Sequence, residues 1–236
     1  MKVNYPSSTG EERAASPAPA PSPGSGILEA LAAERAGPIA GVLLAAGLSS
    51  RMGRNKLLLP FSEVSVLRHV ARVAASSGLD PLLVVLGHDR ARAEKELAGL
   101  AYLPVENSRY PEGIHTSLSA GFSALPEGAA AAVVVLADMP FVTARMLCEL
   151  MARFRAKTAR LVLSSYGGVL APPTLYGREL FAELRALGKG CGREVVKRHR
   201  EEALLLEQPP QALQDLDEPE DLASIPGRKG VSSDEG

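Results

Sequence analysis

The sequence predicts an α/β fold, a mostly parallel β-sheet with helices on both of its faces. Two observations predict it. Short, wholly apolar runs, typical of strands buried on both faces, alternate along the chain with segments whose apolar residues recur at helical spacing. Parallel strands also need crossover connections, and right-handed crossovers place helices on both faces of a sheet.

The first strand and helix establish the pattern. The run from Pro38 to Leu44 predicts a buried strand that stops before Gly47. After a basic turn, Ser65 precedes a segment with apolar residues at helical spacing, and Gly78 marks its end. Together they form the first strand–helix unit.

The alternation continues to residue 164. Strands are predicted over 81–86, 101–105, 131–136 and 161–164. Helices are predicted over 89–97, from near His115 onward, and from a cap at Thr143 to about Ala156.

Beyond Tyr166 the pattern changes. The stretch GGVLAPPTLY predicts an extended ribbon rather than a strand–helix unit, because Pro172 and Pro173 cannot donate hydrogen bonds to a central ladder. Helices are expected over 177–187 and 192–199, and a strand over 203–207. Asp217 is the expected cap of a last short helix.

Composition suggests one domain between two tails. Residues 1–37, rich in Pro, Ala and Ser, predict a disordered tail, and 226–236 predict a flexible one, which leaves 38–225 as the folded domain. The first 37 residues hold no apolar stretch long enough for a signal peptide or a membrane span. A net charge of −1 argues against a general nucleic-acid binder.

The two cysteines point to the cytoplasm. Cys148 and Cys191 lie far apart and lack the spacing of a disulfide framework or a metal site. Cys148 falls on a predicted core helix, where a small buried apolar role is expected.

The turn in LLAAGLSSRMGRNKLLLPF (43–61) is the first candidate site. It follows the carboxyl end of a predicted parallel strand, where α/β sheets bind ligands. Gly47 allows close approach of the backbone, and Arg51, Arg54 and Lys56 add positive charge, so the turn favours a phosphate ligand. The alternative is a solvated basic turn. Neither GxGxxG nor GxxxxGK[ST] is present.

Two further loops are expected at the same edge. Asp138 directly follows the strand 131–136 and is a candidate Mg²⁺ ligand, or alternatively a turn cap. Gly113, Thr116 and Ser117 open a predicted helix, where free N–H groups and hydroxyls can bind a base, a ribose or a phosphate. His115 between them is expected to be structural or to contact substrate.

Four stretches in this order resemble a known family: LLAAGLSSRMGRNKLLLPF, YPEGIHTSLSAG, VVVLADMPFVT and DLDEPEDLA. The chain resembles the molybdenum cofactor cytidylyltransferases from about Ile39 to Ile225. The resemblance implies a Rossmann-like three-layer sandwich of the nucleotidyltransferase type. It also implies an enzyme that transfers CMP from CTP to the phosphate of molybdopterin and releases pyrophosphate.

The same resemblance assigns roles to individual residues. Arg51 and Lys56 would hold the triphosphate as catalytic residues, and Asp138 would bind Mg²⁺, with Asp217 as a second metal ligand or a helix cap. Base and ribose would be lined by Leu44, Ala45, Ala46 and Gly47. Ala46 favours cytidine, because guanylyl-transferring relatives tend to carry glycine there.

The acceptor end departs from the family. Ala171, Pro172 and Pro173 stand where relatives carry a GHP or GNP segment. Two alternatives to molybdopterin transfer therefore stay open. One is an NTP transferase for a sugar phosphate or another small phosphorylated acceptor, and the other is a non-catalytic accessory protein that serves a molybdoenzyme.

Overall fold

The structure is a computed structural model that describes residues 35–47, 55–156, 159–188 and 192–214. Arg51, Arg54, Cys191 and Asp217 lie outside the described residues, as do the predicted tails before residue 35 and after residue 225.

The described residues form a seven-stranded sheet and a separate two-stranded hairpin. The strands, in chain order, are β1 (Ile39–Ala45), β2 (Pro60–Phe61), β3 (Val64–Ser65), β4 (Leu82–Leu86), β5 (Leu103–Glu106), β6 (Ala131–Leu136), β7 (Leu161–Tyr166), β8 (Val169–Gly177) and β9 (Leu204–Glu207). The order in the large sheet is β5-β4-β1-β6-β8-β7-β9, while β2 and β3 form the hairpin. All neighbours in the large sheet are parallel except those of β8, which is antiparallel to both β6 and β7.

Six α-helices cover the two faces of the sheet in the described residues. They are α1 (Val66–Ser76), α2 (Arg90–Glu96), α3 (Ile114–Ser123), α4 (Ala144–Ala156), α5 (Phe181–Arg185) and α6 (Arg193–His199). Apolar side chains of α1, α2 and α4 share one core with one face of β1, and those of α3, α5 and α6 share a second core with its other face. The predicted three-layer α/β/α architecture is therefore confirmed.

Strand β1 explains why the site lies where it does. Its seven residues are all buried, because it pairs with β4 on one side and β6 on the other. The carboxyl ends of β4, β1 and β6 then meet at one edge, and the loops that follow these strands carry the candidate residues.

Strand β8 confirms that GGVLAPPTLY is extended, and it corrects only the expectation that the proline pair keeps this segment out of a central ladder. The segment lies inside the sheet, and only its proline pair leaves the ladder: Leu163 pairs with Thr174 and Ser164 with Ala171, so Pro172 and Pro173 fall at a shift of register. Proline is tolerated at such a bulge because no ladder donor is required there.

Cys148 is a second correction. It is exposed rather than buried in the core, because the buried stripe of α4 is formed by Met146, Leu147, Leu150 and Phe154. Successive side chains are about 100° apart around a helix axis, so Cys148 lies to one side of the stripe that contains Leu147. Its thiol lies 3.3 Å from the carbonyl oxygen of Ser77.

The predicted helix over 177–187 is also shorter than expected. It consists of a 3₁₀ turn (Arg178–Leu180) followed by α5. Among the residues that the structure describes, no helix combines the length and apolar character that crossing a membrane requires.

Candidate active site

Lys56 and Asp138 come together at the carboxyl edge of the sheet. The ammonium nitrogen Nζ of Lys56 lies 2.8 Å from Oδ2 of Asp138. The side chains are 15% and 25% exposed, so both remain accessible from solvent while most of their surface is shielded. A cation and a carboxylate that meet at the ends of two adjacent central strands are well placed for a ligand that carries phosphate and metal.

Asn55 fixes the position of Lys56. Its buried side-chain oxygen Oδ1 accepts a hydrogen bond of 3.1 Å from the backbone N–H of Leu57 and so caps the 3₁₀ turn Lys56–Leu58. Leu57 anchors this turn in the core. The amide nitrogen of Asn55 also contacts Oδ2 of Asp89 at 3.5 Å, which connects the turn to the loop after β4.

The loop after β6 fixes the position of Asp138 through its backbone. Ala137 N–H donates to the Leu44 carbonyl at 3.1 Å, which extends the pairing of β6 with β1. Met139 is buried, and its N–H donates to Leu136 O at 3.3 Å. Residues 137 and 139 therefore hold the backbone on both sides of the carboxylate.

The predicted base-lining residues present backbone rather than side chains. The side chains of Leu44, Ala45 and Ala46 are buried, with those of Leu44 and Ala46 in one core and that of Ala45 in the other. Gly47 is exposed, and a Cβ placed on it would have no heavy atom within 4 Å. A ligand at this loop would therefore meet main-chain groups and the open surface at Gly47.

The methyl group of Ala46 packs against Gly87, in the loop that follows β4. A Cβ added at Gly87 would lie 2.9 Å from Cβ of Ala46 and 2.8 Å from the ring of Tyr110. Gly87 therefore lies close to both Ala46 and Tyr110, where β1, β4 and β5 end. The rings of His88 and Tyr110 lie 6.0 Å apart at this edge. No local pattern in the sequence shows that β4 places His88 there.

Thr116 and Ser117 are buried together with Asn107, which sequence reasoning missed. The amide nitrogen Nδ2 of Asn107 donates to the hydroxyl oxygens of Thr116 and Ser117, both at 2.9 Å. Its oxygen Oδ1 accepts from the N–H of Arg109 at 3.0 Å. Gly113, whose φ is 122°, begins this helix. The two hydroxyls therefore hold the loop after β5 against α3.

His115 lines a pocket of about 230 Å³ beside this cluster. Its ring is only 8% exposed, and the remaining lining comes from the loop after β5, from α3 and from Leu187. The pocket holds charged and hydroxyl-bearing side chains from Glu106, Ser108, Arg109 and Ser119. It can accept a polar group next to the ends of the strands.

The donor set suits a cation that shares its ligands with a substrate. The described residues contain no group of three or more His, Cys, Asp or Glu side chains that could hold a metal by themselves. Asp138 supplies one carboxylate, and Mg²⁺ is commonly bound by one or two carboxylates together with phosphate oxygens and water. The residues present fit that mode of binding.

Relatives and solved structures are similar to this chain over most of its described part. The bifunctional protein GlmU of Mycolicibacterium paratuberculosis is 32% identical over 152 residues, which are 61% of this chain and 31% of that protein. The chain thus spans about a third of the length of such relatives.

Among solved structures, Rv0371c of Mycobacterium tuberculosis H37Rv is 28% identical with a TM-score of 0.71, covering 80% of this chain and 97% of that one. A second structure of Rv0371c is a complex with manganese, at 27% identity and a TM-score of 0.65, covering 80% and 99%. A nucleotidyl transferase from Methanothermobacter thermautotroptrophicus shares the fold, with 23% identity, a TM-score of 0.70 and coverage of 80% and 95%.

A family model, the MobA-like NTP transferase domain, matches residues 41–203, from within β1 to the residue before β9. The match contains the loops that carry Lys56, Asn107 and Asp138. On this evidence the chain belongs to the family of MobA-like NTP transferase domains, which are nucleotidyltransferases.

Proposed function

We propose that this protein transfers a nucleoside monophosphate from a nucleoside triphosphate to a phosphorylated small molecule and releases pyrophosphate. The observation that carries the proposal is the Lys56–Asp138 pair at the ends of β1 and β6. It offers one group that neutralises phosphate and one that binds a divalent cation, side by side. Nucleotidyl transfer needs both.

The chemistry is an in-line displacement. An oxygen of the acceptor phosphate forms a bond to the α-phosphorus while the bond from the α-phosphorus to the bridging oxygen of pyrophosphate breaks, and the electron pair leaves with pyrophosphate. An ionised acceptor phosphate already carries the attacking electron pair, so no general base is needed. Lys56 neutralises charge on the phosphate oxygens, and Arg51 is proposed to act with it.

Asp138 is the residue that would hold Mg²⁺, and Asp217 is a proposed second ligand. The bound ion would supply positive charge that polarises the phosphate oxygens. The Mg²⁺ assignment draws support from the manganese complex of Rv0371c, since both are hard divalent cations with a preference for oxygen ligands. Asn55 and the 3₁₀ turn keep the Lys56 ammonium group at the same edge.

The specific substrates proposed are CTP and molybdopterin, with a molybdoenzyme as the partner that receives the product. Support for CTP comes from Ala46, because its methyl group packs so closely on Gly87 that a Cβ there would lie 2.9 Å from it, which leaves little space between the ends of β1 and β4. The proposed nucleoside contacts are the main chain of residues 44–47 and the start of α3 at Gly113, Thr116 and Ser117.

The acceptor is proposed to lie near the hairpin that joins β7 and β8. Strand β7 runs parallel to β1 and β6, so this hairpin lies at the same edge as Asp138, and residues 166–174 contain no charged side chain. An acceptor bound there would be recognised by shape and by main-chain groups rather than by charged side chains of this hairpin. That fits molybdopterin, and a small phosphorylated polyol or sugar is the alternative.

The test is pyrophosphate release by the purified protein. CTP, GTP, UTP and ATP are each combined with Mg²⁺ and with molybdopterin or a series of sugar and polyol phosphates. Release that requires both CTP and molybdopterin is the expected result. Release with another pair would reassign the substrates, and no release with any pair would refute the enzymatic function.

A further inference from the structure

His69 in α1 lies between the two segments that carry Lys56 and Asp138. Its ring nitrogen Nε2 is 3.1 Å from the carbonyl oxygen of Pro140, two residues after Asp138. A carbonyl oxygen can only accept a hydrogen bond, so Nε2 carries the proton and donates it. His69 therefore binds the main chain of the Asp138 loop directly.

The same ring packs on the other segment. The ring centroids of His69 and Phe61 are 4.6 Å apart, and Phe61 belongs to the β2–β3 hairpin that follows the Lys56 turn. The turn and the hairpin are continuous, because Leu59 N–H donates to Lys56 O at 3.2 Å and Leu59 O accepts from the N–H of Val66 at 3.0 Å. A short, hydrogen-bonded piece of chain thus connects Lys56 to the ring that His69 covers.

A third ring, that of Phe141, belongs to the same cluster as the rings of His69 and Phe61. Phe141 meets Phe61 edge to face, with ring centroids 5.9 Å apart. The Asp138 loop therefore touches the Lys56 segment through Phe141 and touches α1 through Pro140. Edge-to-face ring pairs such as Phe61 and Phe141 stabilise the contact beyond the area they bury.

The ring of His69 is neutral in this environment. Burial lowers its pKa, the hydrogen bond to Pro140 opposes that effect, and the positive charge of Arg72 lowers the pKa further. A neutral ring adds no charge of its own beside the site, so its contribution is a fixed hydrogen bond and a packing surface.

We propose that His69 is a positioning residue for nucleotidyl transfer, which sets the separation of Lys56 and Asp138 by holding Pro140 on one side and Phe61 on the other. The inference rests on the proposed function for its kinetic consequence. Its structural part, the coupling of the two segments, stands independently of any substrate. Residues that orient a ligating carboxylate typically change activity or metal affinity by about 10- to 100-fold when removed.

The kinetic test compares His69→Leu, which keeps an apolar surface but loses the donor, with His69→Gln, which returns an N–H near the position of Nε2. For His69→Leu we expect kcat to fall by about 10- to 100-fold with KM for the nucleotide unchanged, and His69→Gln to recover most of the loss. Phe181→Leu in α5, on the other face of the sheet, is the control for a general loss of packing. Its kcat should stay near that of the parent protein.

Amide hydrogen exchange of the free protein supplies the readout that needs no substrate. His69→Leu should accelerate exchange at the N–H groups of residues 58–59 and of 137, 139 and 142, all of which donate hydrogen bonds in the structure. Exchange in β5 and α3 should not change. Unaltered exchange in both segments would overturn the inference.

A failure of the proposed function can be distinguished from a failure of the positioning role of His69. If the parent protein releases no pyrophosphate with any pair of substrates, the proposed function fails, and the exchange experiment still decides whether His69 couples the segments. If the parent is active and His69→Leu retains full kcat, the positioning role is wrong even where exchange accelerates. Failure of His69→Gln to recover activity would also contradict a role for the N–H donor.

Discussion

The 2.8 Å contact between Lys56 Nζ and Asp138 Oδ2 joins two loops that are far apart in sequence but follow neighbouring strands. Each side chain balances the charge of the other. Under the proposed function, a triphosphate with a bound cation would offer each of them a new partner of opposite charge, and the pair would exchange partners when the substrate binds.

Lys56→Ala should lower kcat more than it weakens nucleotide binding. Charge develops on the phosphate oxygens as the leaving bond breaks, so the ammonium group acts most strongly in the transition state, and loss of one such group typically costs about 100- to 1,000-fold in kcat. Steady-state kinetics with varied nucleotide measure the two constants separately.

Lys56→Arg, which keeps the charge, is the matched variant and should retain part of the activity. Stability should change little in either variant, because a partly exposed ion pair is typically worth at most about 1 kcal/mol. Unchanged turnover in Lys56→Ala would contradict the role given to this residue.

The sequence predicted this edge of the sheet well. Strands buried on both faces give a strong apolar signal, and the loops that follow parallel strands lie at the carboxyl edge of the sheet, which is why Asp138 and the loop with Lys56 were expected there. The contact itself was not predictable. It depends on β1 and β6 being neighbours, and strand order is decided by long-range pairing.

Other parts of the site depend on contacts that leave no local pattern. Asn107 looks like any loop residue in the sequence, and only the packing of α3 brings Thr116 and Ser117 to its amide group. Cys148 was assigned to the wrong face because it directly follows Met146 and Leu147, which are buried, and one further position around the helix is enough to expose a side chain.

Ala46→Gly should weaken the preference for CTP over GTP. The methyl group is buried against Gly87, so its removal leaves a space into which the loop at the end of β4 can shift to admit a purine. A change of one methyl group in a pocket is worth about 1–3 kcal/mol, so the ratio of kcat/KM for the two nucleotides should shift by about tenfold or more.

The control for base choice is Ser123→Ala, an exposed change at the C-terminal end of α3 that should leave this ratio unchanged. An identical CTP to GTP ratio in Ala46→Gly and the parent protein would remove the support that Ala46 gives to cytidine.

Asn107→Ala should destabilise the fold and raise KM for the nucleotide. It removes the donor to two buried hydroxyls and the acceptor for the N–H of Arg109. Groups left without partners in such a buried cluster cost about 1–3 kcal/mol, to be measured by urea unfolding.

Asn107→Asp tests the two kinds of hydrogen bond in that cluster separately. A carboxylate can still accept from the N–H of Arg109, but it cannot donate to the hydroxyls of Thr116 and Ser117. Asn107→Asp should resemble Asn107→Ala in KM if the hydroxyls matter for the start of α3. A KM equal to that of the parent would show that the cluster serves folding alone.

Tyr166 should make the protein lose stability in alkaline solution. Burial raises the pKa of its phenol to about 12, with a contact to Ser164 offsetting part of the shift, and its hydroxyl donates to Pro172 O at 2.8 Å. A phenol whose pKa is higher in the folded state stabilises the fold fully below pH 10, its ordinary pKa, and this contribution is lost as the pH rises toward 12. Since one pKa unit corresponds to about 1.4 kcal/mol, the loss is at most roughly 3 kcal/mol.

Urea unfolding from pH 9 to pH 12 should therefore show that the free energy of unfolding of the parent protein falls as the pH rises. Tyr166→Phe should have a lower free energy of unfolding at pH 9, and this free energy should change less with pH across the same range. Tyr102→Phe is the matched comparison, because burial also raises the pKa of Tyr102; each variant should remove its own part of the alkaline slope, and only Tyr166→Phe also loses the hydrogen bond to Pro172 O. Phenolate absorbance gives an independent check, since the ionisation of Tyr166 should occur near pH 12 and should be missing in Tyr166→Phe. If Tyr166→Phe and the parent protein lose stability in parallel, the phenol is not the group responsible, and the hydroxyl's contribution is limited to holding the proline bulge of β8.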